Sequence, residues 1–135
     1  MENILVTFVV PAYNVERYIP KTLNSLLSQT DKDFEIIVVN DGSTDNTYAV
    51  VKDILEKSDF RNYKIITNPN GGPSSARNTG IKEAQGEYII FLDGDDYVSP
   101  NLVERIRKVI STNKVDVICW KFQRVDEDGK PSKIQ

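Results

Sequence analysis

The feature that most constrains this chain is a set of short apolar runs with no polar alternation, each followed by a longer segment of helical period. Ile4-Leu5-Val6-Thr7-Phe8-Val9-Val10, Phe34-Glu35-Ile36-Ile37-Val38-Val39-Asn40 and Tyr88-Ile89-Ile90-Phe91-Leu92 are apolar at nearly every position. A strand with one wet face alternates, so these runs predict strands covered on both faces, as in a parallel sheet between helices. Between them, Ile19, Leu23, Leu26 and Leu27 share one face of a helix predicted within Glu16–Gln29. Pro20 suits its first turn and moves the start toward Tyr18. Ser43 or Thr44 is positioned to cap a second helix, with Asp45 in its first turn and Val51, Ile54 and Leu55 inward. Tyr63–Thr67 predicts a third strand and Pro73–Ala84 a third helix. Asn101–Ser111 predicts a fourth helix, with Leu102, Ile106, Val109 and Ile110 on one side, and Val115–Cys119 begins a fifth strand. Alternation of this kind predicts an α/β fold, a three-layer α/β/α arrangement on a mostly parallel sheet. At 135 residues the expectation is one domain, 1–135.

Composition narrows the chemistry. The chain has no histidine and one cysteine, Cys119. That removes histidine-based nucleophilic catalysis, histidine-ligated metals, an internal disulfide and Cys-cluster zinc sites. Carboxylates, amides, hydroxyls, Arg, Lys or a bound cation must carry any reaction. A net charge of −3 without a basic patch argues against a nucleic-acid partner. No apolar stretch approaches the roughly 20 residues of a membrane span, and no signal peptide is evident, so a cytoplasmic location is expected. The polar run from Asp126 to Gln135 reads as a C-terminally truncated end.

Polar residues gather where predicted strands end: Pro11-Ala12-Tyr13-Asn14, Asp41-Gly42-Ser43 and Asp93-Gly94-Asp95-Asp96. In an open parallel sheet all three lie on the carboxyl edge, where ligands bind. Asp93 and Asp95, at i and i+2 of extended chain, would point the same way, and oxygen-only ligands suit Mg2+ or Mn2+. A solvated turn is the plainer reading, yet three like charges after a buried strand repel one another without a cation. Asp41 fits either an Asx turn or a carboxylate that reads a base or ribose. Tyr13 can cover the sheet edge or stack on a nucleobase. Asn70-Gly71-Gly72-Pro73-Ser74-Ser75 opens the third helix as either an ordinary start or an anion seat, with Arg77 one turn further on. Neither Gly-x-x-x-x-Gly-Lys-Ser/Thr nor a Gly-x-Gly-x-x-Gly after the first strand occurs, which argues against a P-loop enzyme and a dinucleotide dehydrogenase.

Four segments, Phe8–Asn14, Val38–Asp45, Gly72–Gly80 and Phe91–Asp96, together resemble the family 2 glycosyltransferases of GT-A fold. The resemblance implies a nucleotide-sugar donor, usually a UDP-sugar, and single displacement with inversion. It implies that Pro11, Ala12, Tyr13 and Asn14 line the donor site and that Asp41 bonds the uracil. Arg77 would lie beside the donor, and Asp93 and Asp95 would form an Asp-x-Asp motif, Asp93 also touching the donor, that holds Mn2+ or Mg2+ on the diphosphate. The acceptor would be a saccharide or lipid-linked, in cell-envelope or exopolysaccharide synthesis. Peripheral attachment to the inner membrane face and a homodimer through Val117, Ile118, Trp120 and Phe122 are further expectations. No residue fits the catalytic base, which is expected beyond Gln135. The competing classes are a nucleotide-sugar-binding module without catalysis and a nucleotidyltransferase.

Overall fold

A computed structural model of the chain describes residues 3–112, together with Asp116 and Val125. Four strands and four helices alternate: β1 Val6–Ala12, α1 Ile19–Leu27, β2 Phe34–Asp41, α2 Thr47–Lys57, β3 Tyr63–Asn68, α3 Pro73–Glu83, β4 Tyr88–Phe91 and α4 Leu102–Thr112. The strands form one sheet in the order β3-β2-β1-β4, every pair parallel. Val6 of β1 lies opposite Phe34 of β2 and Tyr88 of β4, so the two inner strands are in register from their first residues. The expected fifth strand, Val115–Cys119, and the apolar residues through Phe122 lie outside the described residues.

The missing alternation has the expected cause. Successive residues of β1 and β2 are buried on opposite faces of the sheet. Phe8, Val10, Ile36 and Val38 join the larger core with Ile19, Leu23 and Leu26 of α1, Val51 and Leu55 of α2, and Leu102, Val103 and Ile106 of α4. Val9, Ile37 and Val39 face the other way, onto Ala76 of α3. Phe8 meets Phe34 edge-on at 5.4 Å between ring centroids, and Phe34 stacks on Phe60 at 4.8 Å. Where a polar residue enters these faces it is satisfied. The buried Glu35 accepts from the Thr7 hydroxyl and from Gln85 N, both at 2.6 Å.

Several local expectations need correction. β4 is less covered than β1 and β2 among the described residues: Ile89 and Phe91 are 38% and 44% exposed. It is the last strand of the sheet among the described residues, and its less covered face is apolar all the same. The second helix is capped neither by Ser43 nor by Thr44, and Asp45 precedes it: Asp45 Oδ1 accepts from Thr47 N at 3.0 Å and Thr47 Oγ1 at 2.6 Å. On α4, Val109 lies at the edge of the apolar stripe and is 39% exposed, whereas Leu102 and Ile106 are buried.

Gly80 sets how closely α3 lies on the sheet. A Cβ there would stand 2.2 Å from Val9 Cγ1 and 2.9 Å from Cγ2. Val9 is fully buried and β-branched, so it has no rotamer to retreat into. With a contact as short as this the overpacking lies at the upper end of its range, and we expect Gly80→Ala to destabilise the fold by about 2 kcal/mol. Overpacking of roughly 1–3 kcal/mol outweighs the gain of about 1 kcal/mol in helix preference. Urea unfolding checks this, and an unchanged or raised midpoint would refute it.

The α1–β2 connection is fastened to α4 by Arg107, whose Nε donates to Asp31 Oδ2 at 2.6 Å and whose Nη2 donates to Asp33 Oδ2 at 2.8 Å. The Arg107 hydrogen bond holds the Asp31 carboxyl below its ordinary 3.8, against a smaller opposing effect of burial. The folded value is the lower one, so the stabilisation is present above the unfolded pKa and lost as pH falls through the folded one. Arg107→Gln is therefore expected to lower the unfolding midpoint at neutral pH and to make a smaller difference at about pH 2. A gap that is constant with pH would contradict the account.

Candidate functional site

The sheet order reverses at β1, with β2 and β3 on one side and β4 on the other. Open parallel sheets leave a crevice at such a point, at the carboxyl ends of the strands. Here Pro11 contributes to it. The N–H and C=O of a strand residue point to the same side, and Pro11 O accepts from Gly94 N at 3.1 Å. The missing N–H of Pro11 therefore also faces the β4 side, and the ladder to β4, whose last pair is Val9 with Phe91, cannot continue in full. The chain beyond Phe91 turns instead.

That turn carries the acidic run. Asp96 N donates to Asp93 O at 3.0 Å, closing a four-residue turn. Extended chain was the sequence expectation, with Asp93 and Asp95 converging. The turn brings in Asp96 as well, and one carboxylate oxygen from each of Asp93, Asp95 and Asp96 lies within 4.8 Å of the others. Gly94 is pressed against the first residue of α1 and the loop ahead of it: a Cβ would stand 2.9 Å from Val15 Cγ2 and 3.1 Å from Ile19 Cδ1. The hydroxyl of Thr22 donates to Gly94 O at 2.9 Å, a support that the sequence did not single out. Burial, and then the charges of Asp95 and Asp93, hold the Asp96 carboxyl above the usual carboxylate range. Arg77 of α3 offsets part of the charge, with Nη2 3.4 Å from Asp93 Oδ1.

On the other side of β1, Asp41 ends β2 and is buried. Its partners are neither an Asx turn nor residues near in sequence. Oδ1 accepts from Gly71 N at 2.9 Å and Oδ2 from Gly72 N at 3.0 Å. The backbone amides read as an anion seat thus already receive an internal carboxylate. The chains lie close here, since a Cβ on Gly42, whose φ is +68°, would stand 2.7 Å from Asn70 N. Each carboxylate oxygen keeps a lone pair for a further donor. Asp41 therefore fixes the entry to α3, the helix that carries Arg77.

Between these sides stands the end of β1. Pro11 is half-buried, Ala12 is buried and Tyr13 is 46% exposed. Ala12 pairs with Asn40, so Tyr13 and Asp41 are the residues that follow adjacent positions of neighbouring strands. Asn14 has a φ of +50° and is taken up by the next loop, its Oδ1 accepting from Thr44 N at 2.8 Å. In sum, Arg77 and Asp93 are brought together with Asp95 and Asp96 beside β4, while Tyr13 and Asp41 stand at the ends of β1 and β2. The residues that sequence reasoning missed, Thr22 and Thr47, are hydroxyls with partners in distant loops, Gly94 O and Val15 N. The glycine pair ahead of Pro73 was the one legible sign of the Asp41 contact.

Residues 7–135 match the family described as glycosyl transferase family 2. The glycosyltransferase EpsJ of Bacillus subtilis is 46% identical over 126 residues, which is 93% of this chain and 36% of EpsJ. The poly(ribitol-phosphate) beta-N-acetylglucosaminyltransferase TarS of Staphylococcus aureus is 36% identical over 128 residues, 93% of this chain and 22% of TarS. The chain thus spans about a third or less of the length of these two relatives. The crystal structure of TarS residues 1–349 with UDP superposes with a TM-score of 0.74 at 37% identity, covering 80% of this chain and 32% of that one. A mannosyltransferase of Pyrobaculum calidifontis, solved with GDP-Man and Mn2+, has a TM-score of 0.73 at 24% identity, covering 82% and 33%.

Removing the Asp41 carboxylate strands two backbone amides. Charge-assisted hydrogen bonds of this kind are each worth roughly 1.5–3 kcal/mol, and the loop can regain some of that from water. We expect Asp41→Ala to lower stability by about 2–3 kcal/mol and to speed amide exchange at Gly71 and Gly72. Unchanged exchange at both amides would show that the carboxylate does not hold the loop.

Proposed function

Because the chain belongs to glycosyl transferase family 2 and has the GT-A fold of its structural neighbours, we propose that it is the donor-binding part of a metal-dependent glycosyltransferase. The donor is a nucleotide-sugar, in our reading a UDP-sugar. The observation that carries this is the layout of the carboxyl edge: a ring and a carboxylate at the ends of β1 and β2, an acidic turn at the end of β4, with Pro11 between them. A nucleoside diphosphate has the same two ends, a planar base and an anionic tail. TarS, at 37% identity, is known with UDP and with UDP-GlcNAc, which supports the choice of nucleotide.

In this reading Pro11, Ala12 and Tyr13 line the base pocket, Tyr13 by its exposed ring face. Asp41, already held by Gly71 and Gly72, accepts the imide N–H of uracil on a remaining lone pair. Arg77 turns from Asp93 toward the diphosphate, for which its planar guanidinium is suited. Asp93 and Asp95 hold Mn2+ or Mg2+, with Asp93 also beside the sugar or ribose. The three convergent carboxylates fit such a hard cation, which when bound neutralises charge on the departing diphosphate. Displacement at the anomeric carbon by an acceptor hydroxyl inverts that centre. The acceptor is a saccharide or a lipid-linked one, and we assign no general base among Met1–Gln135. We place the reaction in the cytoplasm, in cell-envelope polysaccharide synthesis. No helix among the described residues is long and apolar enough to cross a membrane. A nucleotidyltransferase is disfavoured, because the loop after β1 is Pro11-Ala12-Tyr13-Asn14 rather than glycine-rich and basic.

The test is calorimetry of UDP, GDP, CDP and dTDP, each with and without Mn2+. A diphosphate approaching Asp93, Asp95 and Asp96 is repelled unless a cation lies between. We expect UDP to bind measurably only with the cation, and Asp95→Asn to remove most of that dependence. Equal UDP affinity with Mn2+ and with EDTA would defeat the proposal.

A further inference from the structure

We infer that Asn14 is a positioning residue for the nucleotide site: it locks the loop after β1 to the loop ahead of α2 and so holds Tyr13 beside Asp41. The inference rests on reading Tyr13 and Asp41 as the base pocket, and it gives Asn14 a role without contact to the ligand.

The two loops exchange hydrogen bonds in both directions. From the first, three consecutive amides donate to side chains of the second: Asn14 N to Ser43 Oγ at 3.1 Å, Val15 N to Thr47 Oγ1 at 2.9 Å and Glu16 N to Asp45 Oδ2 at 3.3 Å. From the second, Thr44 N at 2.8 Å, Asp45 N at 3.3 Å and Thr44 Oγ1 at 3.3 Å all donate to the single acceptor Asn14 Oδ1. Ser43 is itself tied to the end of β2, its N–H donating to Asn40 Oδ1 at 3.3 Å. Tyr13 immediately precedes one end of this lock and Asp41 lies two residues before the other. Asn14 also sits at φ +50°, a conformation that Asn and Gly adopt and most residues avoid. Its side chain and its backbone are thus both specified, and the specification is internal. A binding loop ordered before the ligand arrives loses less conformational freedom on binding.

Three substitutions separate the possible roles. Asn14→Asp keeps an acceptor at Oδ1 and the tolerance of positive φ. Asn14→Gly keeps only the backbone freedom, and Asn14→Ala keeps neither. For the 135-residue chain, UDP affinity with Mn2+ is measured by calorimetry and amide exchange at Thr44 and Asp45 without ligand. We expect Asn14→Asp to stay within about twofold of the parent and Asn14→Gly to bind about tenfold more weakly. Asn14→Ala should be weaker still, with exchange quickening in the same order. Parental affinity in Asn14→Gly would show that the acceptor is irrelevant and overturn the inference. So would an Asn14→Asp as weak as Asn14→Ala, since the amide nitrogen would then be the group that matters. A parent that binds no UDP overturns the base-pocket reading and, with it, the bearing of Asn14 on the ligand. Unchanged exchange in Asn14→Ala, with UDP bound normally by the parent, overturns the inference alone.

Discussion

Two inner strands hydrogen-bonded on both edges and packed on both faces are the condition for everything at the carboxyl edge. A backbone group buried without a partner costs about as much as a lost hydrogen bond, so β1 and β2 have little freedom to shift relative to their neighbours. Their side chains are divided between two cores, Phe8 and Val10 on one face and Val9 on the other. A slip of one residue would exchange the faces and drive Val9 away from Gly80. Register is therefore fixed from both sides, and the loops that leave these strands begin from fixed points.

The acids of this edge are compensated unequally. Asp41 is met by two amides, and Asp93 has Arg77 within 3.4 Å. Among the described residues, no ion pair accompanies that one at the turn, where three carboxylates converge and Asp96 holds its proton more tightly than usual. The Asp41 side is thus electrostatically settled by the protein itself, whereas the β4 turn has charge left over. On the function proposed above, this asymmetry would make the diphosphate end of the donor, and not its base end, depend on a bound cation.

Much of the fold was legible because burial on both faces of β1 and β2 leaves a run of apolar residues that little else explains. Pro20 marked the start of the first helix, which has Tyr18 as its N-cap, but the cap of the second was less legible: it is opened by Asp45 rather than by Ser43 or Thr44. At the site, sequence identified the loops and the residue types but not the partners. Asp41 is held from Gly71 and Gly72, and nothing local to Asp41 announces it. Likewise, Asp93 to Asp96 fold as a turn because Pro11 interrupts the ladder across from them, a cause that lies some eighty residues upstream in the sequence. The Tyr88–Leu92 run is the exception to that reading, apolar throughout although Ile89 and Phe91 are exposed.

The stitches around Asp41 and Asn14 join residues 29 to 32 positions apart, close to one strand-helix unit of this chain. None of them can form within an isolated hairpin or helix. Each must wait until a strand, its helix and the following strand have come together, a loop closure whose entropy is met before the contacts repay it. On refolding these stitches are therefore expected to form with the β1–β2 and β2–β3 pairs, whose partners are similarly far apart in sequence, and not before them. Their amides, followed in time, would report pairing of these three strands rather than collapse of the core.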